Sequence, residues 1–135
     1  MLAREIMTTP TIAVTPSATL EEAAKVMVAN RFTTLPVVAT SGELVGLLSE
    51  VDILGAPRPA GDPDTGAILG GQARTVGAVM RRSGLGVTPD TDVSDLAGRM
   101  SDAGVRSAPV VEGGRVVGMI TLADVLRALG RAERR

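Results

Sequence analysis

Leu20, Ala23, Ala24, Met27 and Val28 fall at i, i+3, i+4, i+7 and i+8, the spacing that lays one apolar stripe along a helix. The same rhythm returns at Val93, Leu96, Ala97 and Met100. Each stretch opens on a capping-box pattern, Thr19-x-x-Glu22 and Asp92-x-x-Asp95, whose first side chain can satisfy amides of the first helical turn. Downstream, Leu35-Pro36-Val37-Val38 and Ala108-Pro109-Val110-Val111 are short apolar runs. A Gly-containing turn separates each from a second run, Leu44 to Leu48 or Val116 to Ile120, which predicts two β-hairpins. Helical spacing resumes from Val51 to Leu54 and from Ala123 to Leu129. With a short strand ahead of each first helix, the pattern is β-α-β-β-α, twice.

The duplication extends to residue identities. Met7 falls on Met80, 73 residues on, and the same offset carries Val14-Thr15-Pro16 onto Val87-Thr88-Pro89 and Pro36-Val37-Val38 onto Pro109-Val110-Val111. After a one-residue shift in the hairpin turn, Leu44 to Ser49 falls on Val116 to Thr121, and Val51 to Leu54 on Ala123 to Leu126. An ordered internal repeat takes precedence over local assignments. Residues 1–57 form repeat 1 and 73–135 repeat 2. Gly55 to Gly71, with three Pro and five Gly and little periodicity, marks a flexible linker between the repeats, bounded at 58–72. A lone unit would leave an apolar sheet face bare, so an α+β fold is expected in which the two repeats pack about a pseudo-twofold axis.

Composition narrows the chemistry. The chain has no Cys and no His, which removes disulfides, Cys-His and Ser-His-Asp nucleophiles, and cysteine- or histidine-based zinc sites. Its 14 basic and 15 acidic residues give a formal charge of −1, which points to neither nucleic acid nor an anionic membrane. Phe32 is the one aromatic residue, too few for stacking successive bases. The start MLAREIMTTP lacks a signal-peptide core, and no stretch reaches the roughly 18 apolar residues of a membrane span, so a cytoplasmic location is expected. Gly70-Gly71 lacks the order of a phosphate-binding loop, and Asp62-Pro63-Asp64 offers too few oxygens for a calcium cage.

Ser49-x-x-Asp52 and Thr121-x-x-Asp124 stand where a strand gives way to a helix. In one reading both are capping boxes. In the other, the hydroxyl and the first helical amides face a phosphate, while Asp accepts hydrogen bonds from ribose hydroxyls. The two readings are compatible.

The run V-G-M-I-T-L-A-D-V-L, preceded by V-R-S-A-P-V-V and V-T-P-D-T-D-V, resembles the signature of the CBS domain, named after cystathionine β-synthase, and repeat 1 carries it too. The resemblance covers nearly the whole chain outside the linker. It implies a tandem pair, or Bateman module, that binds AMP, ADP, ATP or S-adenosylmethionine in the cleft between repeats and assembles into homodimers. Thr121 and Ser49 would contact phosphate and Asp124 and Asp52 ribose. Arg106 would clamp phosphate in one half, where Thr33 stands in the other. Ile12, Leu85, Phe32, Val105 and Met119 would wall the adenine, although on periodicity alone core packing is the better reading of each. The implied role is a regulatory sensor that is not an enzyme and requires no cofactor, acting on an unidentified regulated protein. The alternative is a dimerising scaffold with empty or degenerate clefts.

Overall fold

The computed structural model describes residues 1–9, 11–55, 74–82 and 87–133. Leu85 and the 58–72 linker, with Asp62-Pro63-Asp64 and Gly70-Gly71, lie outside the described residues. In chain order the elements are α1 (Ala3–Ile6), α2 (Leu20–Asn30), β1 (Thr34–Val38), β2 (Leu44–Ser49), α3 (Glu50–Leu54), α4 (Val76–Val79), α5 (Val93–Ala103), β3 (Ser107–Glu112), β4 (Arg115–Thr121) and α6 (Leu122–Glu133).

The apolar stripes do form the two longer internal helices, each capped at both ends. Thr19 Oγ1 accepts from the Glu22 amide at 3.0 Å at the start of α2. Asp92 caps α5 by accepting from Ser94 at 2.9 Å, one residue earlier than the capping-box spacing suggests. An N-cap carboxylate can serve either of these first-turn amides, and Asp95 still favours the positive end of the helix. Both helices then close on a left-handed residue, Arg31 (φ 58°) in α2 and Gly104 (φ 67°) in α5. The amides of Phe32 and Val105 fold back to Met27 and Met100, at 2.9 and 3.1 Å, completing Schellman motifs.

Two antiparallel hairpins, β1-β2 and β3-β4, form as the sequence suggests. The strand expected ahead of each first helix shrinks to a single bridge residue. Val14 pairs in parallel with Val37, and Val87 with Val110. The cause is the Thr-Pro that follows. Pro16 and Pro89 have no amide to give, and the chain turns at once, with Ala18 bonded to Thr15 (3.1 Å) and Thr91 to Thr88 (3.0 Å).

The chain divides into two compact units that do not follow the repeat boundaries. One contains Met1–Thr11, Gly42–Leu44 and Ser83–Arg135, the other Ile12–Ser41 and Val45–Arg82. Each therefore takes its opening segment from the other repeat. In the first unit, Ala3 is buried with Val93, Leu96, Met100, Ile120 and Val125. In the second, Val76, the residue equivalent to Ala3, is buried with Leu20, Met27, Leu35, Val37 and Leu48. The seating bonds match residue for residue. Ala3 donates to Thr91 O (2.8 Å) and Arg4 to Pro89 O (3.0 Å), while Val76 donates to Ala18 O (2.8 Å) and Gly77 to Pro16 O (2.9 Å).

Each segment then continues as an edge against a strand, Thr8 against Met119 and Arg81 against Leu47. A glycine in the strand makes room. A Cβ on Gly46 would lie 2.8 Å from the Arg81 carbonyl oxygen and 3.0 Å from Met80 Sδ, and one on Gly118 would lie 2.5 Å from Met7 Sδ. At Gly46 the obstacle is backbone, whereas at Gly118 it is mainly a flexible side chain. Gly46→Ala is therefore expected to cost about 2–3 kcal/mol in chemical denaturation, and Gly118→Ala less. An equal or smaller loss at Gly46 contradicts this packing argument.

Candidate functional site

Strand alternation sets up each corner. In β2 Gly46 and Leu48 are buried, so Leu47 and Ser49 sit on the other face, half-buried; in β4 Gly118 and Ile120 are buried and Met119 and Thr121 are not. Ser49 has the extended backbone of an N-cap (φ −104°, ψ 162°). Its Oγ accepts from the Asp52 amide at 3.1 Å, and its own amide donates to Asp52 Oδ2 at 2.9 Å. Thr121 and Asp124 repeat this arrangement, with the Asp124 amide donating to Thr121 Oγ1 at 3.2 Å and the Thr121 amide to Asp124 Oδ2 at 2.9 Å. Both pairs are thus reciprocal capping boxes, the first of the two readings.

Two further candidates are bonded to the same corners through their backbones. The Thr33 carbonyl accepts from the Glu50 amide at 2.9 Å, and the Arg106 carbonyl from the Leu122 amide at 2.7 Å. Thr33, Ser49 and Asp52 therefore meet in one unit, and Arg106, Thr121 and Asp124 in the other. The Arg106 side chain is exposed and has no bonded partner among the described residues.

The second oxygen of each carboxylate carries an arginine, which the sequence reading did not include. Arg81 Nε donates to Asp52 Oδ1 at 3.1 Å. Arg127 pairs with Asp124 Oδ1 from three residues along the same helix. The latter is visible in the i, i+3 spacing. The former joins residues 29 apart and has no sequence signal. Burial alone pushes the Asp52 carboxyl up. The amide and hydroxyl of Ser49 and the Arg81 guanidinium outweigh it and hold the group below the usual aspartate value.

The adenine-wall candidates separate. Ile12 is exposed and Met119 half-buried, its backbone engaged with Thr8 at 2.8 and 3.2 Å. Phe32 and Val105 pack against the two cores as the hydrophobic residues of their helix-end motifs. Phe32 and Thr33 also line an open apolar groove of about 410 Å³ between α2 and α3, with Met27, Val28 and Ile53.

A family model for the CBS domain matches residues 3–58 and again residues 76–131. The chain belongs to the CBS domain family. The L-aspartate semialdehyde sulfurtransferase of Methanocaldococcus jannaschii is 29% identical over 96% of this chain, which spans 23% of that protein's length. Among solved structures, the CBS domain pair of protein MJ0100 in complex with 5′-methylthioadenosine and S-adenosyl-L-methionine is 28% identical, with a TM-score of 0.80 over 98% of each chain. CBSX2 of Arabidopsis thaliana in complex with AMP is 26% identical, with a TM-score of 0.79 over 98% of each chain. Two tandem CBS repeats thus account for the duplication.

The depressed Asp52 carboxyl has a consequence for stability. A group held below its unfolded value, about 3.9 for Asp, contributes stability that is full above that pH and is lost as pH falls through the folded value. At pH 7, Asp52→Ala is expected to cost about 1–2 kcal/mol by urea denaturation. The gap from the wild type should narrow as pH drops below about 4. A gap that stays constant or widens in acid runs against this electrostatic account.

Proposed function

We propose that this CBS pair is a non-catalytic regulatory module that binds adenosine-containing nucleotides at the Ser49–Asp52 and Thr121–Asp124 corners. The observation that carries the reading is the duplicated corner itself. It combines a hydroxyl, helix-opening amides and a carboxylate, the donor and acceptor set needed for a phosphorylated ribose. The adenosyl ligands of the MJ0100 pair and of CBSX2 support the same class, AMP, ADP, ATP or S-adenosylmethionine, as the regulatory ligand. Capping and binding are compatible, because each carboxylate oxygen has a second lone pair and the arginine on Oδ1 sits at the solvent side.

In this reading the exposed guanidinium of Arg106 serves phosphate at the Thr121–Asp124 corner, where Thr33 offers no charge at the other. Ile12 in one unit and Met119 in the other supply apolar surface for adenine. The ligand regulates only if it binds two arrangements of the module with different affinity, and a protein partner reads the difference.

A second reading, an interaction module, draws on a specific observation. Leu54 and Leu126 occupy equivalent positions in the two repeats and are 83% and 61% exposed, and Val28 and Val51 are exposed as well. Large apolar side chains left in water at matching places suit a homodimer contact. Replacing both leucines by Glu is expected to convert a dimer to a monomer in sedimentation or light scattering. A species of unchanged mass would remove this contact.

The nucleotide reading is tested by thermal shift with AMP, ADP, ATP, S-adenosylmethionine and NAD. Ligand at 100 times its dissociation constant adds about 2.7 kcal/mol, roughly 5–10 °C for a domain of this size. Asp124→Ala is expected to abolish more of the shift than Asp52→Ala, because Arg106 serves only the former corner. No shift with any of them, in protein freed of bound nucleotide, leaves the interaction reading in place. Nucleotide hydrolysis that disappears with Asp124→Ala contradicts the non-catalytic assignment.

A further inference from the structure

The Asp52 carboxylate divides its oxygens between two partners, the Ser49 amide on Oδ2 and Arg81 on Oδ1. Arg81 itself has a fixed root and an exposed end. Its amide and carbonyl are bonded to Leu47 at 2.9 Å each, and Gly46 lets that edge sit close. Its side chain is 75% exposed, against 9% for Asp52, so an exposed guanidinium rests on the water side of a nearly buried carboxylate. Among the described residues it has no other ionic partner.

The other repeat is built differently at the same place. Thr8 stands at the position equivalent to Arg81 and makes the same paired backbone bonds, here to Met119, but carries no charge. The counter-ion of Asp124 comes instead from its own helix, as Arg127, where repeat 1 has Gly55. One carboxylate is thus matched by a local surface pair and the other by a cation delivered from a remote segment.

We propose that Arg81 is a specificity-determining residue of the Ser49–Asp52 corner, making binding there favour adenosines that carry a 5′-phosphate over neutral or cationic ones. The inference rests on the reading that this corner binds adenosines. Ribose hydroxyls that take Oδ1 displace the guanidinium from its counter-charge. A phosphate returns an anion to it and can meet its planar fork with two oxygens. Neutral adenosine returns none, and a sulfonium adds a like charge. Arg81 therefore opposes every ribose equally and repays only the anionic ligands.

The test is calorimetric titration of the full chain with adenosine and with AMP, in the wild type, Arg81→Thr, Arg81→Lys and Asp52→Asn. Threonine is what the fold already carries at the equivalent Thr8, so the substitution suits the backbone, and the lysine variant keeps the charge if it does not. Arg81→Thr is expected to tighten adenosine and weaken AMP, lowering the AMP-to-adenosine affinity ratio about tenfold at the site removed by Asp52→Asn. Arg81→Lys should retain most of the ratio at low salt. An unchanged ratio in Arg81→Thr, or a ratio that falls as far in Arg81→Lys, overturns the role of Arg81 while leaving the corner a binding site. If Asp52→Asn removes no binding event, the corner itself is not a site and both readings fall together.

Discussion

The seating of each opening segment against a strand of the other repeat is the constraint from which much of this structure follows. Backbone amides and carbonyls that leave water must be paired, and residues 3–8 and 76–81 find their partners in loops and strands contributed by the other repeat. A buried Ala3 or Val76 anchors each segment in its core. The approach is close enough that Gly46 and Gly118 cannot carry a side chain without something moving. The same seating brings Arg81 to Asp52. Packing, hydrogen bonding and the charge at one corner are thus consequences of a single contact.

The two corners show how a duplicated fold can keep its geometry and vary its chemistry. Hydroxyl, amide and carboxylate recur with distances that agree within about 0.1 Å. That reciprocity satisfies groups that burial would otherwise penalise, so the capping role alone is reason enough for these residue types. The surroundings are free to differ. Arg106 stands where the other repeat has Thr33, Arg127 where it has Gly55 and Arg81 where it has Thr8, so each corner has its own set of cations around one shared frame. Membership of the CBS family accounts for the shared frame, two matched repeats of one fold.

The longer helices and the hairpins were legible in the chain because local rules govern them. Helical spacing at Leu20 to Val28 and Val93 to Met100, apolar runs on both sides of a Gly turn, and a Ser or Thr followed by Asp three residues on each describe contacts within about ten residues. The capping geometry of Ser49 and Thr121 needed nothing more. Where the structure departs from the expected strands, local rules competed. The strands before Pro16 and Pro89 have the right composition, but the turn that follows cuts pairing to one residue. Phe32 and Val105 pack against the cores, where the left-handed residue before each directs them, and Phe32 also lines the groove between α2 and α3.

By itself the sequence determined the duplication, the longer helices and the hairpins in their order, the capped corners and the absence of histidine and cysteine chemistry, since all of these are properties of residue type and near spacing. Only the tertiary structure decided that each opening segment joins the unit of the other repeat, and that a cation 29 residues away settles on Asp52. Periodicity records which face of an element is apolar but not which partner covers it. An ion pair between distant residues depends on that partner choice, so it leaves no trace in the spacing of either residue.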